Sequence, residues 1–289
     1  GFQPENSSFY DQVDANGRPV NSGGTLAYGP PPAGWSGACV AGPGFDPAKH
    51  CNNKVIGARA FDASFKAAGV KPAWYEFIGS PRDVTGHGSH TSSTAGGNWN
   101  ADAISHTQNL GPISGMAPRA RLAHYKICWS WLDTLAFANN CWTGDSVAAI
   151  DQAVADGVDV INFSVSGSQT DLLDPVEVAF LNAATAGVFV AASAGNSGPG
   201  TAVAHPSPWL TTVAASTHGR FLMADTTTGE GNTYHGASQS KGLPLTNMVL
   251  STDVASTSIE NARLCKINSL NPAKVEGKIV VCDRGTTAR

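Results

Sequence analysis

Val158-Asp159-Val160-Ile161-Asn162-Phe163-Ser164-Val165 is a nearly continuous apolar run, and its flanks decide the fold. Upstream, Val147, Ala148, Ile150 and Val154 recur at helical spacing, with Gly144 or Asp145 as the start and Gly157 as the C-terminal stop. Downstream the unit repeats. Pro175 opens a helix through Ala186, Gly187 closes it, Val188-Phe189-Val190-Ala191-Ala192 reads as the next buried strand, and residues 209–214 supply another. Strands without alternation, separated by helices of about a dozen residues, predict an α/β fold: a doubly wound parallel sheet with helices on both faces. In such sheets reactive groups gather beyond the carboxyl ends of the strands. That directs attention to Asn162-Phe163-Ser164-Val165-Ser166-Gly167 and to Ser193-Ala194-Gly195-Asn196-Ser197-Gly198-Pro199-Gly200.

Further from this centre, residues 55–61 and the alternating residues 120–127 read as strands, with residues 62–82 as a connection. A tryptophan-rich segment bearing Trp129, Trp131 and Trp142 reads as a cysteine-bounded loop, and residues 1–54 as a long surface excursion rich in Gly and Pro. From about Thr217 the chain turns Thr-, Gly- and Ser-rich with strand signals at 248–250 and 277–282. The expected division is a partial α/β domain over 1–242 and the opening of a second, β-rich unit over 243–289, too little to bury a core of its own.

Composition narrows the classes. Charged residues are only 14% of the 289, Gly numbers 32, net charge is -4, and no Lys/Arg run occurs, so neither nucleic acid nor an anionic membrane surface is an expected partner. No apolar stretch reaches the roughly 18 residues of a spanning helix. Six cysteines fall into three sequence-local pairs, Cys39 with Cys51, Cys128 with Cys141, and Cys265 with Cys282. The even count points to disulfides and an oxidising, extracellular compartment, although sequence alone does not choose among the possible connectivities. The Asn6-Ser7-Ser8 sequon fits secretion and is also common by chance.

The most constrained stretch is Asp83-Val84-Thr85-Gly86-His87-Gly88-Ser89-His90-Thr91-Ser92-Ser93-Thr94-Ala95-Gly96-Gly97-Asn98. A histidine between two glycines, followed by small residues, suits a helix pressed closely against its neighbours with His87 at its first turn. His87 and His90, three apart, could share a metal, but no HExxH pattern or paired CxxC accompanies them, so a metal-dependent hydrolase ranks low. Asn196, an amide among small residues at a strand end, suits an oxyanion donor, and equally a turn asparagine.

Together these stretches resemble the subtilases, the subtilisin-like serine peptidases. Gly86-His87-Gly88-Ser89-His90-Thr91 is similar to the family's histidine motif, Ala194-Gly195-Asn196-Ser197-Gly198-Pro199 to its oxyanion motif, and residues 160–167 to its substrate-binding strand. Ser166 stands where many members have glycine, which would alter the S1 wall. Gly1-Phe2-Gln3-Pro4-Glu5-Asn6-Ser7-Ser8-Phe9, Cys51-Asn52-Asn53-Lys54-Val55-Ile56-Gly57-Ala58-Arg59, and the segments around Cys265 and 275–285 resemble the plant-type, cucumisin-like branch with its protease-associated domain.

The resemblance implies a serine endopeptidase acting through an Asp/His/Ser triad and an acyl-enzyme, with polypeptide substrates and no cofactor, calcium being left open. His87 would be the general base, Asn196 the oxyanion donor, and Ser164, Val165 and Ser166 the partners of the substrate main chain. In the family the aspartate precedes the histidine and the serine follows. Here the aspartate would fall two residues before Gly1, and no GTSxA motif occurs. The expectation is therefore a fragment truncated at both ends, inactive alone, whose partners include the remainder of its own chain. Asp83 reads as a cap of the histidine loop, and Gly144-Asp145-Ser146 as a helix start. A catalytically dead binding or regulatory relative is the alternative.

Overall fold

The structure, a computed structural model, describes residues 1–105, 108–132, 137–200, 203–220, 222–238 and 242–285. The elements that matter for the site are β1 (Val55–Ala60), α1 (Ala63–Ala67), α2 (His87–Gly96), β2 (Leu122–Lys126), β3 (Cys128–Leu132), β4 (Phe137–Cys141), α3 (Thr143–Asp156), β5 (Val160–Phe163), α4 (Pro175–Thr185), β6 (Phe189–Ser193) and β7 (Thr211–Val213). β5, β6 and β7 form a parallel three-stranded sheet in that order, and β1 pairs parallel with β2. This is the α/β architecture expected from the repeated helix and strand units.

Register explains the burial. Val160 lies beside Phe189 and Phe163 beside Ala192, so Ile161, Phe163, Val190 and Ala192 share one face. That face meets Ile150 and Ala149 of α3 and Val176, Ala179, Phe180 and Ala183 of α4 in the main core. Each large side chain buried there contributes about 1.5–3 kcal/mol. Tyr125 and Ile127, from β2 and the residue after it, border the same core. Leu122 and His124 point the other way, where Gly96 of α2 packs against Leu122, so helices approach β2 from both sides. On the second face of the three-stranded sheet Val160, Phe189 and Val213 are more than half exposed.

The helix signals have physical counterparts. In α3 the buried positions Ser146, Ala149, Ile150 and Ala153 follow the i, i+3, i+4, i+7 stripe of an amphipathic helix. Gly157 ends it at φ 89°, and a Cβ there would lie 3.1 Å from the Gly34 carbonyl oxygen. Gly157→Ala is expected to destabilise the chain by about 1 kcal/mol or more, read as a lower urea midpoint at unchanged slope. α4 begins on Pro175, and the Asp174 carboxylate accepts from the Val176 amide at 2.9 Å.

Two readings need correction. The tryptophan-rich segment is not a plain loop: β3 and β4 are an antiparallel hairpin with Cys128 opposite Cys141. Its tip at 133–136 lies outside the described residues. Trp129 is fully buried and donates from its indole N–H to the Phe61 carbonyl at 2.9 Å, and the adjacent Ser130 is buried as well. The strand expected over 158–165 is shorter in its ladder, β5 ending at Phe163, so Ser164 to Ser166 continue beyond the paired region.

Beyond β7, residues 223–227 and 233–237 pair as an exposed antiparallel hairpin, and 248–250 pairs parallel with 279–281. Disulfides join Cys39 to Cys51, Cys128 to Cys141 and Cys265 to Cys282, the sequence-local pairs. They close loops with sequence separations of 12, 13 and 17, each stabilising the fold by about 3 kcal/mol through restriction of the unfolded chain.

Candidate active site

A cleft of about 280 Å³ opens between the start of α2, the end of β2 and the chain leaving β5, with the base of the β3–β4 hairpin as a further wall. His87 lines it as the first residue of α2 and is exposed. Three local features put it there. Gly86 takes φ 85°, a left-handed turn that a side chain would strain. Gly88 follows because a Cβ there would lie 2.0 Å from the Gly1 carbonyl oxygen. Asp83 then pins the turn: one carboxylate oxygen accepts from the amides of Thr85 and Gly86, both at 3.0 Å, and the other from the Ser89 amide and hydroxyl at 2.8 and 2.7 Å.

Burial works against the charge of Asp83, yet the Ser89 and Gly86 donors hold its carboxyl below the ordinary value. Asp83 is thus the cap that its position suggested, and it does not reach across to orient the imidazole.

Ser164 and Val165 face the same cleft as His87. Ser166 and Asn196 do not line it. Asn196 is exposed in the turn after β6, where Gly195 has φ 76°. The two segments adjoin, since a Cβ on Gly195 would lie 3.1 Å from the Ser166 hydroxyl. Gln169 strengthens that junction by donating to the Ser197 hydroxyl at 2.7 Å.

Beneath the cleft lies a buried ion pair that sequence reading missed. The Lys126 ammonium donates to the Glu76 carboxylate and to the Arg82 carbonyl, each at 2.7 Å, and sits 4.3 Å from the centre of the Trp129 ring. The other Glu76 oxygen accepts from the Ser130 amide at 2.8 Å, tying the hairpin to the cleft floor. Burial lowers the Lys126 pKa, and Glu76 pulls it back up. The available signal was faint: a lysine at an inward position of an alternating strand.

Among the described residues no group of three or more His, Cys, Asp or Glu could hold a metal ion, and His90 does not line the cleft. Asp145 is not part of a hydrolase elbow. Its buried carboxylate accepts from the Ser64 and Phe65 amides at 2.9 and 3.2 Å, joining α3 to α1.

The family model described as the subtilase family matches residues 39–273. The chain belongs to the subtilase family. Over its whole length it is 41% identical to two Arabidopsis thaliana proteins, Subtilisin-like protease SBT1.6 and Subtilisin-like protease SBT1.4. It spans 36% of the first and 35% of the second, about a third of each relative. A solved chain, Sphericase, matches with a TM-score of 0.37 at 23% identity, covering 79% of this chain and 58% of that one.

Proposed function

We propose that the protein is a secreted serine endopeptidase that hydrolyses peptide bonds through an acyl-enzyme. The observation carrying this reading is the meeting of His87 with Ser164 and Val165 in one cleft, on a chain of subtilase membership. His87 takes the proton of a serine hydroxyl as that oxygen attacks the scissile carbonyl, and returns it to the leaving amine. Water, deprotonated the same way, then releases the acyl group. The strand segment 164–166 pairs with the extended substrate through its main chain. Such pairing fits the end of the β5 ladder at Phe163, which leaves this backbone free of strand partners. The aspartate and serine of the triad are taken to lie on sequence beyond residues 1–289, as is the rest of the inserted domain begun at about residue 243. Residues 1–289 alone are then without turnover.

Asn196 is the proposed oxyanion donor. Asn196→Ala is expected to lower kcat by about 10²–10³ with KM little changed, measured on an extended peptide substrate.

The test is fluorophosphonate labelling of the protein as isolated from its source, followed by intact mass and peptide mapping. Label on a polypeptide containing these residues, or on a peptide held to them, supports the endopeptidase. A preparation in which nothing labels overturns it and leaves a catalytically dead binding relative.

A further inference from the structure

Behind the segment proposed to bind substrate, the structure buries a polar cluster that the peptidase mechanism does not use. Glu177, His205 and Ser207 are 0, 0 and 3% exposed. Glu177 interrupts the apolar run Val176-Glu177-Val178-Ala179-Phe180 of α4, where an unpartnered carboxylate would be costly. Its two oxygens are both engaged, one by His205 Nδ1 and the other by the Ser207 hydroxyl. The Glu177 carbonyl accepts from the Trp209 indole at 2.9 Å.

The other ring nitrogen of His205, Nε2, lies 2.8 Å from the Val165 carbonyl oxygen. A carbonyl only accepts, so Nε2 carries a hydrogen. The Val165 carbonyl also accepts from the Ser193 hydroxyl at 3.1 Å, so it is held from two sides. The His205 amide donates to the Ser168 carbonyl at 2.9 Å, and the His205 carbonyl accepts from the Thr212 hydroxyl at 2.5 Å. The ring lies so close beneath the chain that a Cβ on Gly167 would come within 2.3 Å of it. Phe163 and Phe180 enclose it edge-on at 5.6 and 5.8 Å. The neighbouring Ala204 amide donates to the Ala194 carbonyl at 3.0 Å, at the start of the turn that carries Asn196.

We propose that His205, fixed by Glu177 and Ser207, is a positioning residue: it braces the main chain at 165–168 and, through Ala204, sets that segment's register against the turn bearing Asn196. Its ligand class is the extended main chain of a polypeptide, so the proposal rests on the endopeptidase reading for its consequence, though not for its geometry. Among the described residues the only charged group facing the imidazole is Glu177, from α4. The faces from β5, β7 and the 165–168 segment present Phe163, the Thr212 hydroxyl and carbonyl oxygens.

Two variants test it. His205→Asn keeps a residue type that tolerates the positive φ of 55° found there but cannot span from Glu177 to Val165. Glu177→Gln keeps the shape and removes the charge. Hydrogen exchange by mass spectrometry on the whole protein produced from its gene is expected to accelerate about tenfold or more in peptides covering 164–168 and 194–196, and to leave α3 unchanged. Unchanged exchange in both segments, in both variants, overturns the brace whether or not the protein is a peptidase.

The second arm uses the protein as isolated from its source, or produced from the same gene. KM for a peptide occupying several subsites is expected to rise about tenfold, while inactivation by diisopropyl fluorophosphate, too small to use the 164–166 segment, changes less than about twofold. Glu177→Gln is expected to give the smaller KM rise of the two. Equal losses in both readouts mean a merely structural role and overturn the positioning assignment. Accelerated exchange in a protein that neither cleaves nor labels sinks the endopeptidase reading and leaves the brace standing.

Discussion

His87→Ala is expected to abolish fluorophosphonate labelling and to lower kcat on peptide substrates by about 10⁴–10⁶, the loss that follows when a triad member is removed and binding with the oxyanion donors remains. The substitution is clean because His87 contributes so little to the fold. It is exposed at the mouth of the cleft, and the turn beneath it is held by Asp83, Gly86 and Ser89. Thermal or urea unfolding of the variant should therefore match the parent within about 0.5 kcal/mol. An unfolding midpoint that stays in place while activity vanishes assigns the loss to chemistry. A variant that keeps full turnover would remove His87 from the mechanism and return the cleft to a binding role.

The second large effect is on stability in acid. His124 is buried on β2, its ring stacked on Phe2 at 3.9 Å with Phe9 edge-on, and its Nε2 has no hydrogen-bond partner. Burial, the largest cause, pushes its pKa from 6.5 down to about 3. The folded value lies below the unfolded one, so in between the unfolded chain binds the extra proton and the folded chain does not. Stability is then full above about pH 6.5 and falls as pH is lowered toward 3, approaching about 1.4 kcal/mol per pH unit.

Down to about pH 4.5 few carboxylates titrate, so a loss of about 2.7 kcal/mol there belongs to the histidine. Below that, Asp83 adds a loss of the same sign, because its folded pKa is also lowered. Urea titrations at pH 7, 6, 5 and 4.5 on the parent and on His124→Gln, which cannot ionise, should give a falling curve and a nearly flat one. Two parallel curves would mean that water or a shifted Phe2 solvates the imidazolium in the folded state.

The local elements were legible in the sequence because local chemistry decides them. Gly157 stops a helix through its own φ, Pro175 and Asp174 start one through a missing N–H and a capping carboxylate, and small residues after His87 announce close packing. The parallel sheet followed from strands separated by helices, and the disulfide pairs matched the sequence-local cysteines. The hairpin at 128–141 was less legible, since two tryptophans and two asparagines in a short segment suit a loop as well as a strand. What decided it was Trp129 finding a buried carbonyl at Phe61, which lies 68 residues away in the chain.

Long-range polar pairing was legible only in the tertiary structure. Glu76 with Lys126, and Glu177 with His205, are separated by 50 and 28 residues. No periodicity encodes such pairs, because a buried charge is tolerated only when folding delivers its partner to hydrogen-bond distance. The sequence therefore determined which residue types could do chemistry and on which element ends they stand. Tertiary packing decided which of them share a cleft: His87 with Ser164 and Val165, while Asn196 stays in the neighbouring turn.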